Sequence, residues 1–268
     1  MKRSCLRELI KARAERRSLT LITALASDRQ WIEYEAAIEG LGASDSKAST
    51  LGFAERPADA VGAAASPPPE PLREAAREAL ARGRSERFEY EGEAFFLEVM
   101  HPPLRLFVIG AVHIAQRLVP MAALLGYETV LIDPRRAFAT HERFSGVDLR
   151  VDWPDEALTP AELDSKSAVV TLSHDPKIDD PALRIALASR SFYIGSLGSA
   201  RTHAKRIERL SAMGFTPADI ERIHAPIGLA IGARGAAEIA ASIVGELVAT
   251  LRCAEYPLSR KGSEGSSR

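Results

Sequence analysis

From residue 104 onward, short apolar runs alternate with stretches whose apolar residues recur at helical spacing. Leu104–Ile109 is a continuous apolar run of the kind a strand buried on both faces requires. Beyond Gly110-Ala111-Val112-His113, the residues Ile114, Leu118, Met121, Ala122 and Leu125 mark one face of a helix, and Gly126 offers its stop. Thr129–Ile132 predicts a second strand, ending at Asp133. Leu149–Val151 reads as a short strand and Ala168–Leu172 as a clear one. A helix is predicted from Asp180-Pro181 to about Ala188, a strand at Phe192–Ile194, and a helix over Ser199–Met213 with basic Arg201, Lys205, Arg206 and Arg209. Ile239, Ile243, Leu247 and Leu251 define a last helix from about Ala236. Such alternation implies right-handed crossovers and a parallel sheet.

The first 99 residues follow another rhythm. A basic helical segment precedes Leu19–Leu25, which suits a strand or a buried helical turn. Gly40–Ser66 is small and polar with weak periodicity, and Ser66–Pro71 is proline-stiffened and extended. Leu72–Arg82 predicts a helix ended by Gly83. Arg87–Tyr90 and Ala94–Val99 flank Glu91-Gly92-Glu93 as a hairpin. His101-Pro102-Pro103 then reads as a joint, because the prolines block helix and remove two donors. The expected organisation is therefore a small α+β domain over 1–99, an α/β domain over 100–252 and a disordered tail over 253–268.

Composition narrows the options. With a net charge of −1 over 268 residues there is no electrostatic case for nucleic acid. No apolar run nears the roughly 20 residues of a membrane-spanning helix. The basic N-terminus lacks the apolar core of a secretory signal. Cys5 and Cys253 have no CxxC partner and no neighbouring His, so the reading is a cytoplasmic protein without a metal site.

Strand, glycine turn, helix, strand and acid over about thirty residues form a Rossmann-like unit, with Asp133 spaced to accept a ribose hydroxyl. Val112 stands where that pattern wants glycine, and a branched side chain there crowds a dinucleotide pyrophosphate. Ligands of such sheets bind beyond the C-terminal strand ends. That rule collects Gly110, His113, Asp133 and Arg135 with Gly195, Ser196, Ser199 and Arg201 as candidate cofactor contacts. Arg135 and Arg201 are suited to a phosphate, and Ser199 to an anion cradle, a helix cap, or both. His174 and Asp175 are candidates for general acid–base work, although Asp175-Pro176 equally begins a turn. His224–Arg234 mixes Gly, Pro and apolar residues without a period and reads as a packed loop over the sheet edge.

Several longer stretches carry a resemblance. These are Pro103–Gln116, Ile132–Thr140, Asp152-Trp153-Pro154, Thr171–Leu183, Tyr193–His203 and His224–Leu229, ending near Glu238–Ala240. Together they resemble the Rossmann domain of the XdhC/CoxI family over roughly residues 100 to 250. The resemblance implies an accessory factor, not itself an enzyme. It would bind molybdenum cofactor (molybdopterin) and aid its insertion into a molybdenum hydroxylase of the xanthine dehydrogenase or carbon monoxide dehydrogenase type. A sister subunit or a second copy is an implied partner as well. Family members commonly carry a glycine-rich segment ending in cysteine in the N-terminal half, whereas Gly40–Gly62 contains none. The residues alone leave a second reading open, an NAD(P)-dependent oxidoreductase using the same crevice, against which Val112 stands.

Overall fold

The computed structural model describes residues 3–35 and 66–252. The chain divides into two compact units, 1–102 and 103–268. The Gly40–Gly62 segment, the 253–268 tail and Cys253 lie outside the described residues.

In the first unit, α1 (Arg3–Ala14) leads into β1 (Leu19–Ala24) and β2 (Gln30–Tyr34). Next come α2 (Glu70–Arg82) and the hairpin β3 (Glu86–Tyr90) and β4 (Glu93–Met100). The antiparallel order is β2-β1-β4-β3. β1 is apolar almost throughout because both faces are covered. Leu19 and Leu21 pack with Cys5 and Ala12 of α1, while Ile22 and Ala24 pack with Leu72, Ala75, Ala76 and Ala79 of α2. The Leu19–Leu25 run is thus a strand. Gly83, at φ +64°, closes α2 with N–H bonds to its last turn, as the sequence predicts. The sequence pattern does not reveal β2, whose Glu33 carboxylate is buried beneath Arg73 and Arg77.

The second unit opens with β5 (Arg105–Ile109), α3 (His113–Leu124), β6 (Glu128–Ile132) and β7 (Asp148–Arg150). It continues through α4 (Pro154–Ala157), β8 (Ser167–Thr171), α5 (Pro176–Leu187), β9 (Tyr193–Ser196) and α6 (Ala200–Ala212). The short α7 (Pro217–Glu221) and β10 (Ile223–His224) precede α8 (Ala236–Arg252). Six strands lie parallel in the order β10-β9-β8-β5-β6-β7. Side-chain alternation splits the core into two layers. Leu106 and Val108 of β5 face α3 and α8, and Phe107 and Ile109 face α5, α6 and α7. This is the Rossmann-like parallel domain with a smaller α+β domain before it that the sequence predicts.

The widest boundary difference is at α5. α5 begins at Pro176 rather than Asp180, because the Asp175 carboxylate caps the Lys177 N–H and Pro176 takes the first turn, where no donor is lost.

Candidate functional site

The chain runs from β5 outward to β6 and β7, then returns to β8 and continues to β9 and β10 on the other side. The reversal leaves a switch point between the C-terminal ends of β5 and β8, where ligands of open parallel sheets settle. Two turns meet there. Gly110 holds φ +111°, and a Cβ on it would stand 2.9 Å from the Ser173 nitrogen. No other residue lets the two turns approach so closely.

Opposite, Ser173-His174-Asp175 is held by its own hydrogen bonds. Ser173 Oγ donates to Asp179 Oδ1 at 2.7 Å and accepts the Asp175 N–H at 3.1 Å. His174 adopts φ +63°, an uncommon conformation for a residue with a side chain, and is exposed at the rim. Asp175, its proposed acid–base companion, serves as the α5 cap, so the structure gives the two no shared direction.

The α3 N-terminus opens onto the same crevice. Val112 is its N-cap residue and supplies no side-chain hydrogen bond, so the first-turn N–H groups keep their positive end uncapped. The Val112 side chain packs partly against the α3–α8 core, and His113 is exposed.

Asp133 departs from the reading as a ribose acceptor. It is fully buried, one oxygen taking the Ala111 N–H at 2.7 Å and the other the Arg135 N–H at 2.9 Å. The Arg135 guanidinium closes over both oxygens at 2.9 and 2.7 Å. Burial works to raise the Asp133 pKa, but these hydrogen bonds outweigh it and hold the carboxyl below its ordinary value. With both oxygens engaged, the acid organises the turn and steadies Arg135. The guanidinium, one-third exposed, lies within the field of Asp175 and Asp179 and stacks on Phe138 at 4.7 Å.

Gly195 and Ser196 also turn inward. Gly195 is in mid-sheet, and a Cβ there would strike Ile227 Cδ1 at 2.6 Å, so its bareness serves packing. Ser196 is fully buried and pairs with Thr171 Oγ1 across the β8–β9 ladder. Ser199 caps α6 by accepting the Thr202 N–H, and Arg201 is exposed beside it. The sequence-predicted group therefore divides. Gly110, His113 and Arg135 gather at the switch point, Ser199 and Arg201 stand at the head of α6, and Asp133, Gly195 and Ser196 lie beneath the surface.

Two charged residues that the sequence reading did not assign to the site lie under this edge. Asp179 is buried, and burial pushes its carboxyl up to about 6 despite the Ser173 hydrogen bonds and the nearby Arg206 charge. Arg206, also buried, donates to the Leu197 carbonyl at 3.0 Å, and its pKa is lowered by burial. Farther out, Glu246 of α8 ties the sheet edge to the His224–Leu229 loop. It accepts from Tyr193 Oη at 2.7 Å, the Gly228 N–H at 2.8 Å and His224 Nδ1 at 3.1 Å. The unperiodic loop is thus packed on the sheet edge at Ile227, which is buried, whereas Ala230, Ile231, Gly232 and Arg234 are exposed. Among the described residues no three His, Cys, Asp or Glu side chains are grouped as metal ligands.

Sheet order, switch point and glycine turn define a Rossmann-type domain. More specifically, residues 106–247 match the family model of the XdhC Rossmann domain, and the chain belongs to that family. Over 151 residues, 56% of this chain, it is 32% identical to the molybdenum cofactor insertion chaperone PaoD of Escherichia coli strain K12. Over 156 residues, 58% of the chain, it is 31% identical to a probable xanthine dehydrogenase subunit of Bacillus subtilis strain 168. The matched regions are 41% and 45% of those two proteins, so the chain spans less than half of each. A crystal structure of a xanthine dehydrogenase from Bacillus halodurans shares the fold. Its TM-score is 0.60 at 21% identity, covering 96% of this chain and 67% of that one.

Proposed function

We propose that this protein is an accessory factor for a molybdenum hydroxylase, holding molybdenum cofactor at the β5–β8 switch point and passing it to the apo-enzyme. The observation that carries this reading is the uncapped α3 N-terminus beside Arg135, within a domain of the XdhC family. Molybdopterin bears a phosphate, and helix-end N–H groups with a guanidinium at the rim form the donor set a phosphate selects. The α3 first turn and Arg135 would hold that phosphate, with His113 and His174 at the rim. The bound group would supply the metal and sulfur chemistry of the client enzyme. This chain's residues bind and orient it.

The relatives' names support the same assignment, since one is a cofactor insertion chaperone and the other a probable part of a xanthine dehydrogenase. A dehydrogenase reading loses ground at Asp133, whose carboxylate has no free oxygen for a ribose. Among the described residues no helix is long and apolar enough to cross a membrane, which is compatible with work beside a cytoplasmic client. A second copy or a sister subunit belongs to this proposal as a further partner.

Reconstitution provides the test. An apo molybdenum hydroxylase of the xanthine dehydrogenase type is incubated with molybdenum cofactor, with and without this protein. The expected result is faster and more complete recovery of hydroxylase activity. Equal recovery in both arms, with no cofactor retained by the protein, overturns the proposal.

A further inference from the structure

Beside the switch point lies an aromatic shelf that phosphate binding alone leaves unused. In a Rossmann-type crevice the sugar and ring of a ligand pass over the end of the second strand, where an acid takes the ribose hydroxyl. Asp133 stands at that place after β6, but Arg135 covers its carboxylate. The surface offered there is Arg135 with Phe138. The guanidinium carbon lies 4.7 Å from the centre of the Phe138 ring. Both groups are open to solvent, Phe138 at 45% and the Arg135 side chain at 34%.

Single exposed apolar residues are common on protein surfaces and need no function. Phe138 differs in how firmly it is held and in what holds it. Its N–H donates to the Arg135 carbonyl at 2.8 Å, and the next residue, Ala139, is buried in the core layer of α3 and α8. Its carbonyl accepts from Arg143 Nη1 at 2.6 Å, and the same nitrogen donates to the Ala111 carbonyl at 3.0 Å. One guanidinium thus ties the shelf to the turn between Gly110 and the start of α3. A ring on a fixed backbone gives up little conformational freedom when a partner stacks on it. Arg135 is fixed as well, because its Nε and Nη2 donate to the two Asp133 oxygens and set the plane of the guanidinium. A guanidinium held against an aromatic ring forms a stacking surface for a flat heteroaromatic group, and it keeps its charge for a phosphate joined to that group. A phosphate ester without a ring would use the charge alone.

We infer that Phe138, with Arg135, forms the ring-binding part of the switch-point site and selects ligands whose phosphate is joined to a flat heteroaromatic ring, a pterin or a nucleobase. The inference rests on the switch-point proposal and adds selection of a ring to capture of a phosphate. Three phosphate monoesters, titrated into the full chain by calorimetry, provide the test: ribose phosphate, which has no aromatic ring, adenosine monophosphate and hydroxymethylpterin phosphate. The pterin ester, the adenosine ester or both should bind about tenfold more tightly than the ribose ester, the worth of one stacked ring. Which of them does so identifies the source of the ring. Phe138→Ala should erase this advantage and bring the three ligands to a common affinity, whereas Phe138→Trp should retain it. In Phe138→Trp the ring-bearing ligand should also quench tryptophan emission more than it does in the wild type, which carries Trp31 and Trp153. Equal affinity of the wild type for all three esters, or an advantage that survives Phe138→Ala, overturns the inference and leaves the phosphate reading standing. Binding of none of the three overturns both.

Discussion

Replacing Asp179 with Asn should stabilise the protein at neutral pH, and the gain should vanish in acid. The carboxyl is 2% exposed, with Ser173 Oγ donating to it at 2.7 Å. Asp180 disfavours its charge, Arg206 favours it, and Arg135 lies within its field. Burial dominates and lifts its pKa from 3.8 to about 6. A carboxyl whose pKa rises on folding favours the folded state while protonated. Its contribution is complete below 3.8 and is lost as pH climbs through about 6. At 1.36 kcal/mol per pH unit, the loss amounts to about 3 kcal/mol. Asn keeps an oxygen for Ser173 and carries no charge at any pH. The assay is urea unfolding of both proteins from pH 4 to 7.5, with the difference plotted against pH so that shared titrations cancel. The variant should match the wild type near pH 4 and exceed it by about 3 kcal/mol at pH 7.5. A difference that does not change with pH, or that favours the wild type increasingly as pH rises, would refute the reasoning.

The opposite pH dependence is expected at the neighbouring acid. Asp133→Asn should cost about 2–4 kcal/mol at pH 7 in urea unfolding, because a buried acceptor of four donors is replaced by a group that itself donates. Since the Asp133 pKa is lowered on folding, that advantage is present above 3.8 and fades as pH falls toward the folded value. Gly110→Ala combines a left-handed φ with a 2.9 Å contact on Ser173 and should lose about 2–4 kcal/mol in thermal unfolding. Tyr193→Phe removes the 2.7 Å bond to Glu246 and should cost about 1–2 kcal/mol, read as a lowered denaturant midpoint with an unchanged slope.

The strands and helices that bury strongly periodic faces are legible in the sequence. β5, α3, β6, β8 and α8 follow the apolar pattern because each packs one side or both against the core. Short elements without such a face are not. β2 carries a buried Glu33 that reads as surface until Arg73 and Arg77 fold over it. At the site, glycine is the ambiguous letter. Gly110 and Gly195 look alike in sequence, yet one permits the meeting of two turns and the other makes room for Ile227, a neighbour more than thirty positions away. The spacing of Asp133 after the glycine turn is plain in the sequence, but its closure by Arg135 depends on side-chain geometry, although an acid followed two residues later by arginine is a readable hint. Asp179 and Arg206 resemble ordinary helix-surface charges. Only the packing of α5 and α6 against the sheet buries them, and no local pattern records that.

Equilibrium dialysis of molybdenum cofactor against the wild type, Arg135→Ala and Gly110→Ala addresses the central claim most directly. With the α3 end and Arg135 holding the phosphate, the wild type should retain the cofactor saturably. Arg135→Ala should weaken retention at least tenfold, the loss of a charge-assisted hydrogen bond, and Gly110→Ala should weaken it by displacing the turn. Failure of the wild type to retain cofactor, or equal retention by all three proteins, would contradict the account.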